Sequence, residues 1–166
     1  ALSVFVNRNR SLLIRAQAVI DPKTGTVSFK EPDILFLPGS SVLRPGFQEV
    51  LIDFFPRYLL IVRGKKFEES VEELRIEGHT SSAWLSQVSP DEAYFKNMSL
   101  SQDRTRSVLQ FVWANVKPED RVWLKSRLTA NGLSSSHLVV DPATKREDPS
   151  LSRRVEFRVR MKAEDR

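Results

Sequence analysis

Residues 154–161 read RVEFRVRM, and this alternation decides the fold class. Val155, Phe157, Val159 and Met161 point to one side, and Arg154, Glu156, Arg158 and Arg160 to the other, which is the two-residue period of a strand. One face is apolar and lies under helices; the other is polar and wet. A fully parallel sheet buries both faces, so this strand belongs to an antiparallel or mixed sheet.

Working outward, Pro45 opens a helix in which Val50, Leu51, Phe54, Phe55, Tyr58, Leu59 and Val62 recur at helical spacing. Pro56 inside that pattern predicts a kink or a break. Val71, Leu74 and Ile76 predict a short strand ending at Gly78. Residues 79–98 are Ser-rich with Pro90 in the middle and read as a loop. Ser99 and Gln102 then form an S-x-x-Q capping box that predicts a helix start, with Leu100, Arg104, Val108, Phe111 and Val112 on one face. Pro118 begins a third helix through Trp123 to Leu128, and Leu128–Ala130 a brief strand. Nearer the N-terminus, Leu12–Ile20 and Thr26–Phe29 flank DPKTG, a turn sequence that predicts a β-hairpin. Ile34–Phe36 predicts a short extended piece ended by Pro38 and Gly39. The sum is an α+β sandwich: a mixed β-sheet with helices packed on one face, preceded by a hairpin. Residues 1–30, the basic segment and hairpin, are expected to form one unit with the domain over 31–166.

At 166 residues, 40% hydrophobic and 28% charged, the chain can bury one core. No run approaches the apolar length of a spanning helix; the best, Val50–Val62, carries Asp53, Pro56 and Arg57. Ala1 in place of an initiating Met predicts a processed or excised chain, with any membrane anchor lying outside it. The absence of cysteine removes disulfide frameworks, thiol catalysis and Cys-based zinc sites, and fits an oxidising compartment. A net charge of +5 permits an anionic polymer partner, but no dense basic run exists.

His79 and His137 are the only histidines, neither at metal-ligand spacing, so no metal is expected. Both sit beside serines, but without a nucleophile elbow sequence position alone makes no catalytic pair. The glycines form no phosphate loop; no catalytic residue and no cofactor are expected. Phe157 falls on the face opposite Arg154, Arg158 and Arg160, so the last strand is no aromatic-plus-basic nucleic-acid platform. Trp84 and Tyr94, in the 79–98 segment, are the aromatics least suited to the core and mark a candidate binding region.

Four ordered motifs then carry a resemblance. DILFLPGSSVLRP (33–45), IEGHTSS (76–82), NMSLSQDRT (97–105) and SRRVEF (152–157) resemble the OmpA-like, MotB-like peptidoglycan-binding domain over about residues 30–161. The resemblance implies a non-catalytic module that grips the stem peptide of peptidoglycan at diaminopimelate. It places Phe36, His79, Thr80, Ser81, Asn97, Leu100, Ser101, Arg104 and Arg153 in the ligand site. Arg104 would offer a planar fork to a carboxylate from the first turns of its helix, where free N–H groups also favour an anion. It further implies a periplasmic module tethered to the inner or outer membrane, as a structural tether or as the wall-binding end of a MotB-like stator subunit. Homodimerisation is left open by the composition.

Two departures stand out. The family's Asp is Ser81 here, which turns a charge-assisted contact into a neutral one, a loss of about 1–2 kcal/mol. The gap between Ser81 and Asn97 is longer than usual and carries Trp84, Asp91, Glu92 and Tyr94. Either Asp91 or Glu92 folds back to replace the missing carboxylate, or the extra residues form a solvated insertion. The rival reading is a protein-interaction domain that kept the fold and lost the wall ligand, with Trp84 and Tyr94 as partner anchors.

Overall fold

A computed structural model describes residues 18–21, 24–30, 35–65 and 67–163. Its elements run β1 (Ala18–Ile20), β2 (Val27–Phe29), α1 (Pro45–Val62), β3 (Val71–His79), α2 (Pro90–Ala114), α3 (Pro118–Lys125), β4 (Leu128–Gly132), the short α4 (Pro149–Ser152) and β5 (Arg154–Met161). They build a five-stranded sheet in the order β1-β2-β5-β3-β4. β3 and β4 are parallel and the other pairs antiparallel, so the sheet is mixed as the last strand's alternation predicts. The hairpin forms with Ala18 opposite Phe29; its predicted residues 12–17 lie outside the described ones.

The apolar face of β5 meets α1. Phe157 lies 5.2 Å from Phe54, 5.9 Å from Phe55 and 6.0 Å from Tyr58, ring centre to ring centre, and 5.9 Å from Phe29 of β2. Edge-to-face pairs of this kind add about 0.5–1.5 kcal/mol each beyond burial. Pro56 does not break α1, which runs unbroken from Pro45 to Val62. Proline removes one N–H, but Pro56 sits on the exposed side while Phe54, Phe55, Tyr58 and Leu59 are buried around it. Packing of those side chains outweighs the lost bond.

Three local expectations are corrected. The second helix starts at Pro90, not Ser99, so 90–98 is helix rather than loop. Ser89 is the true cap; its Oγ accepts from the Glu92 N–H at 3.2 Å, with Pro90 in the first turn. The sequence Ser89-Pro90-Asp91-Glu92 is itself an S-x-x-E box, and Asp91 and Glu92 complement the helix dipole there. Leu35 is helical and Phe36 irregular, so no strand forms at the described part of 34–36. β4 reaches Gly132, past the predicted Ala130, and α3 ends at Lys125.

α2 lies closer to the sheet than ordinary side chains allow. Gly78 and Gly132 are cross-strand neighbours on β3 and β4. A Cβ on Gly132 would stand 2.4 Å from the Gln102 backbone nitrogen; one on Gly78 would stand 2.8 Å from Thr105 Cγ2 and 3.0 Å from the Ser101 carbonyl.

The polar face of the sheet is not simply wet, which corrects the reading of β5 as having one solvated side. Like charges oppose each other across β3 and β5, Arg75 beside Arg158 and Glu77 beside Glu156, an arrangement that is repulsive taken pair by pair. Cross-bonding resolves it. Arg75 pairs with Glu73 and Glu77 at 2.9 Å each, Arg158 with Glu77 at 3.3 Å and Glu156 at 3.2 Å, and Arg154 with Glu156. Glu77, Glu156 and His79 are buried beneath this lattice rather than solvated. The His137 ring packs edge-on to His79 at 5.7 Å, and the His137 carbonyl accepts from Arg154.

Burial pushes the Glu77 carboxyl up, but a long contact from His79, the hydrogen bond from Arg75 and the charge of Arg158 outweigh it and hold it at about 2. A carboxyl held below its unfolded value of 4.5 contributes stability that is present above that value and lost as pH falls through about 2. Thermal melts between pH 5 and pH 2 should therefore lose Tm steadily in the wild type, and Glu77→Gln should flatten that slope. An unchanged slope in the variant would remove Glu77 as its source. Gly132→Ala should destabilise by about 1–3 kcal/mol through overpacking, read as a Tm lower by several degrees; a neutral result would mean that α2 can lift without cost.

Candidate functional site

A cleft of about 190 Å³ opens where the end of β3, the middle of α2, the 37–40 turn and the residue preceding β5 converge. Its deepest charged group is Arg104, only 9% exposed. Leu37-Pro38-Gly39-Ser40 holds that side chain. Pro38 followed by Gly39 at φ +71°, with the Ser40 N–H bonding the Leu37 carbonyl at 3.0 Å, fits a type II turn, which needs positive φ at its third residue. The turn aims two carbonyls at the guanidinium: Arg104 Nε donates to Ser40 at 2.8 Å and Nη2 to Leu37 at 3.3 Å. The Phe36 ring lies under the same group, 4.7 Å from its centre. Because α2 begins at Pro90, Arg104 sits in mid-helix, and the expected help from free N–H groups at a helix start does not apply.

Arg153 shares the cleft. Its Nε is buried without a hydrogen-bond partner. Among the described residues, neither arginine has an acidic partner and no acidic side chain lines the cleft. Burial, and then the neighbouring charge of Arg153, lowers the Arg104 pKa to about 10. Two cations therefore face one small space with their charge uncompensated.

Thr80, Ser81, Asn97 and Leu100 join Phe36, Arg104 and Arg153 in the wall. The Asn97 amide donates to the carbonyls of Ser81 (3.2 Å) and Ala83 (2.9 Å), and Thr80 Oγ1 donates to the Ser81 carbonyl (2.9 Å). These bonds tie the end of β3 and the following loop to α2. Ser101 is fully buried, donating to Met98 and accepting from the Ser134 N–H, so it supports the wall instead of facing the cleft. His79 lies behind it, in a narrower crevice next to Arg104 and Arg154.

The longer segment divides. Trp84 lines the cleft, with Lys96 Nζ 5.8 Å from its ring. Tyr94 lies off the wall, half exposed on α2 against Phe95. Asp91 and Glu92 do not fold back: both are exposed in the first turn of α2, where the Ser89 cap and the helix dipole hold them. The carboxylate that does reach this loop is Glu147, which accepts from the N–H and the hydroxyl of Ser82. Ser134 was also hidden from sequence. At φ +53° and fully buried, it accepts from the Thr80 N–H and donates to the Tyr94 carbonyl, clamping β3 to α2. No spacing rule announces either residue, because their partners lie far along the chain.

Glu77, His79 and Glu156 bring three ligand atoms within 4.8 Å of one another. The strand period and cross-strand register assemble them, which a search for His and Cys spacing does not detect. Their chemistry does not fit a resident metal: both carboxylates already neutralise Arg75, Arg154 and Arg158, and His79 is sealed at 4% exposure.

No protein-family model matches the chain. Zorya protein ZorB of Escherichia coli is 49% identical over 149 residues, covering 89% of this chain and 62% of that relative, so the chain spans less than two thirds of the relative's length. A MotB-like protein from Desulfovibrio vulgaris superposes with a TM-score of 0.60 at 26% identity, covering 98% of this chain and 92% of the other. The cell wall anchor of the type VI secretion system from Pseudomonas aeruginosa (TM-score 0.61, 23% identity, 98% of both chains) and the periplasmic domain of Helicobacter pylori MotB (0.57, 16%, 89% and 83%) share the fold. The chain thus shares the fold of MotB-like domains and is similar in sequence to ZorB.

Proposed function

We propose that the chain is a non-catalytic module that binds the peptidoglycan stem peptide at diaminopimelate and so anchors a membrane protein or complex to the cell wall. The observation that carries this reading is the pair of uncompensated guanidiniums, Arg104 and Arg153, in a cleft without an acidic wall. A carboxylate entering there would gain charge-assisted hydrogen bonds and relieve the repulsion between the two arginines. Phe36 and the carbonyls of Leu37 and Ser40 fix the angle of the Arg104 fork before any ligand arrives, which lowers the cost of binding. That a cell wall anchor shares this fold supports the same assignment. The MotB-like relatives favour a stator-type subunit facing the periplasm over an outer-membrane tether, with its anchor in the inner membrane.

A second reading keeps the fold and replaces the wall by a protein partner. Its support is two exposed apolar residues at the cleft, Leu85 in its wall and Leu37 at the start of the 37–40 turn, each more than half exposed. The two readings differ in which residues matter.

Co-sedimentation with isolated diaminopimelate-type sacculi tests them. The wild type should pellet, and Arg153→Gln should reduce binding about tenfold or more. That variant removes a charge whose side chain makes no internal hydrogen bond, so its fold should survive. Arg104→Ala should abolish pelleting but also frees the 37–40 turn, so its melting curve must accompany it. A wild type that stays in the supernatant, or an Arg153→Gln that pellets undiminished, overturns the reading. A wild type that does not pellet but captures a protein partner through Leu37 and Leu85 would favour the second reading.

A further inference from the structure

The cleft has spare hydrogen-bond donors and few spare acceptors. Arg104 spends Nε and Nη2 on two carbonyls, and Nη1 makes no bond to the protein. Arg153 Nε is buried and unpartnered. Ser81 Oγ takes only a long contact from the Ala83 N–H, at 3.4 Å, so its own hydrogen remains to be given. The nearby carbonyls are already used: that of Ser81 accepts from both Thr80 and Asn97, and that of Ala83 accepts from Asn97. With both of its amide hydrogens committed, Asn97 is left with Oδ1, a neutral acceptor. Glu147, the carboxylate docked on this loop, has one oxygen on the Ser82 N–H and the other on the Ser82 hydroxyl.

This arrangement selects the ligand's charge as well as its shape. A carboxylate answers the donors. An ammonium on the same carbon would enter beside two guanidiniums, with three protons to place and only a neutral oxygen to receive them. An amide N–H brings one proton and no charge, which is what Asn97 Oδ1 or Ser81 Oγ can accept. The acyl group attached to that nitrogen would meet an apolar wall formed by Ala83, Trp84 and Leu85.

We propose that the cleft takes a carboxylate whose α-nitrogen is acylated in preference to one bearing a free ammonium, and that Ser81 sets this preference. This rests on the peptidoglycan reading above, within which the ligand is a diaminopimelate residue whose side amine is already engaged in a cross-link. The chain then grips the cross-linked wall in place of its free stem ends.

The test is calorimetric titration of the intact chain with two probes: a diaminopimelate-containing muropeptide with a free side amine, and the same muropeptide acetylated on that amine. The wild type should bind the acetylated probe about tenfold more tightly than the free amine. Ser81→Asp should shift the ratio by tenfold or more towards the free amine. A wild type that binds both probes alike, or prefers the free amine, overturns the proposal and leaves wall binding intact. If neither probe binds while sacculi still pellet the chain, the cleft is not the wall site and the proposal falls. If sacculi fail as well, both readings fall together. Ser81 is buried, so the variant is read only if its melt matches the wild type; the wild-type ratio decides the matter without it.

Discussion

The close approach of α2 to the sheet is the constraint on which the cleft depends. Gly78 and Gly132 lie side by side on β3 and β4, and the backbone of α2 occupies the space where their side chains would be. That contact sets the height of Ser101 and Thr105 over the strands, and hence of Arg104 and Asn97 along the same helix. Ser134 then completes the junction from the loop after β4, bonding the end of β3 through Thr80 and the helix through Ser101 and Tyr94. Its left-handed backbone is strained for a residue with a side chain, and three hydrogen bonds hold it there. A site built on packed backbone is more rigid than one carried by side chains alone, as the anchoring role proposed above requires.

The molecule treats its arginines in two opposite ways. On the polar face of the sheet, Arg75, Arg154 and Arg158 are each matched to carboxylates, and the charges cancel within the lattice. Around the cleft, Arg104 and Arg153 are deprived of such partners, although Glu156 is only a few residues along β5 from Arg153. The β-strand period separates them: Arg154 and Glu156 point to the polar face, while Arg153 precedes the strand and turns towards α2. Position relative to the pleat, more than residue type, decides which arginine is structural and which is left free to meet an anion.

Much of this was readable from the chain. The alternation in RVEFRVRM announced a mixed, one-sided sheet, and the aromatic periodicity after Pro45 announced the helix that covers it. The four motifs at 33–45, 76–82, 97–105 and 152–157 named the residues that the cleft gathers: Phe36, Thr80, Ser81, Asn97, Leu100, Arg104 and Arg153. The start of α2 was misplaced because two capping boxes compete, and Ser99–Gln102 drew the boundary that Ser89–Glu92, backed by Pro90, occupies. That error moved Arg104 to a helix end and freed Asp91 and Glu92 to fold back, neither of which the structure allows. The burial of Glu77, His79 and Glu156 was hidden for another reason: alternation reports which face a residue is on, not what lies above that face.

The replacement of a carboxylate by Ser81 is best understood through what its surroundings do with the vacancy. A cleft that takes no anion would be more stable with its donors bonded internally or its arginines neutralised. Instead the wall keeps two cations unpaired, a hydroxyl hydrogen unspent and an arginine fork held over Phe36 by a turn that requires Gly39. Maintaining a buried guanidinium without a counter-charge costs stability, and Glu147 lies one residue from Ser81 through its bonds to Ser82, yet it is held away by them. The charge imbalance is thus sustained by specific contacts, which is the condition expected of a site whose missing half is an anion brought by the ligand.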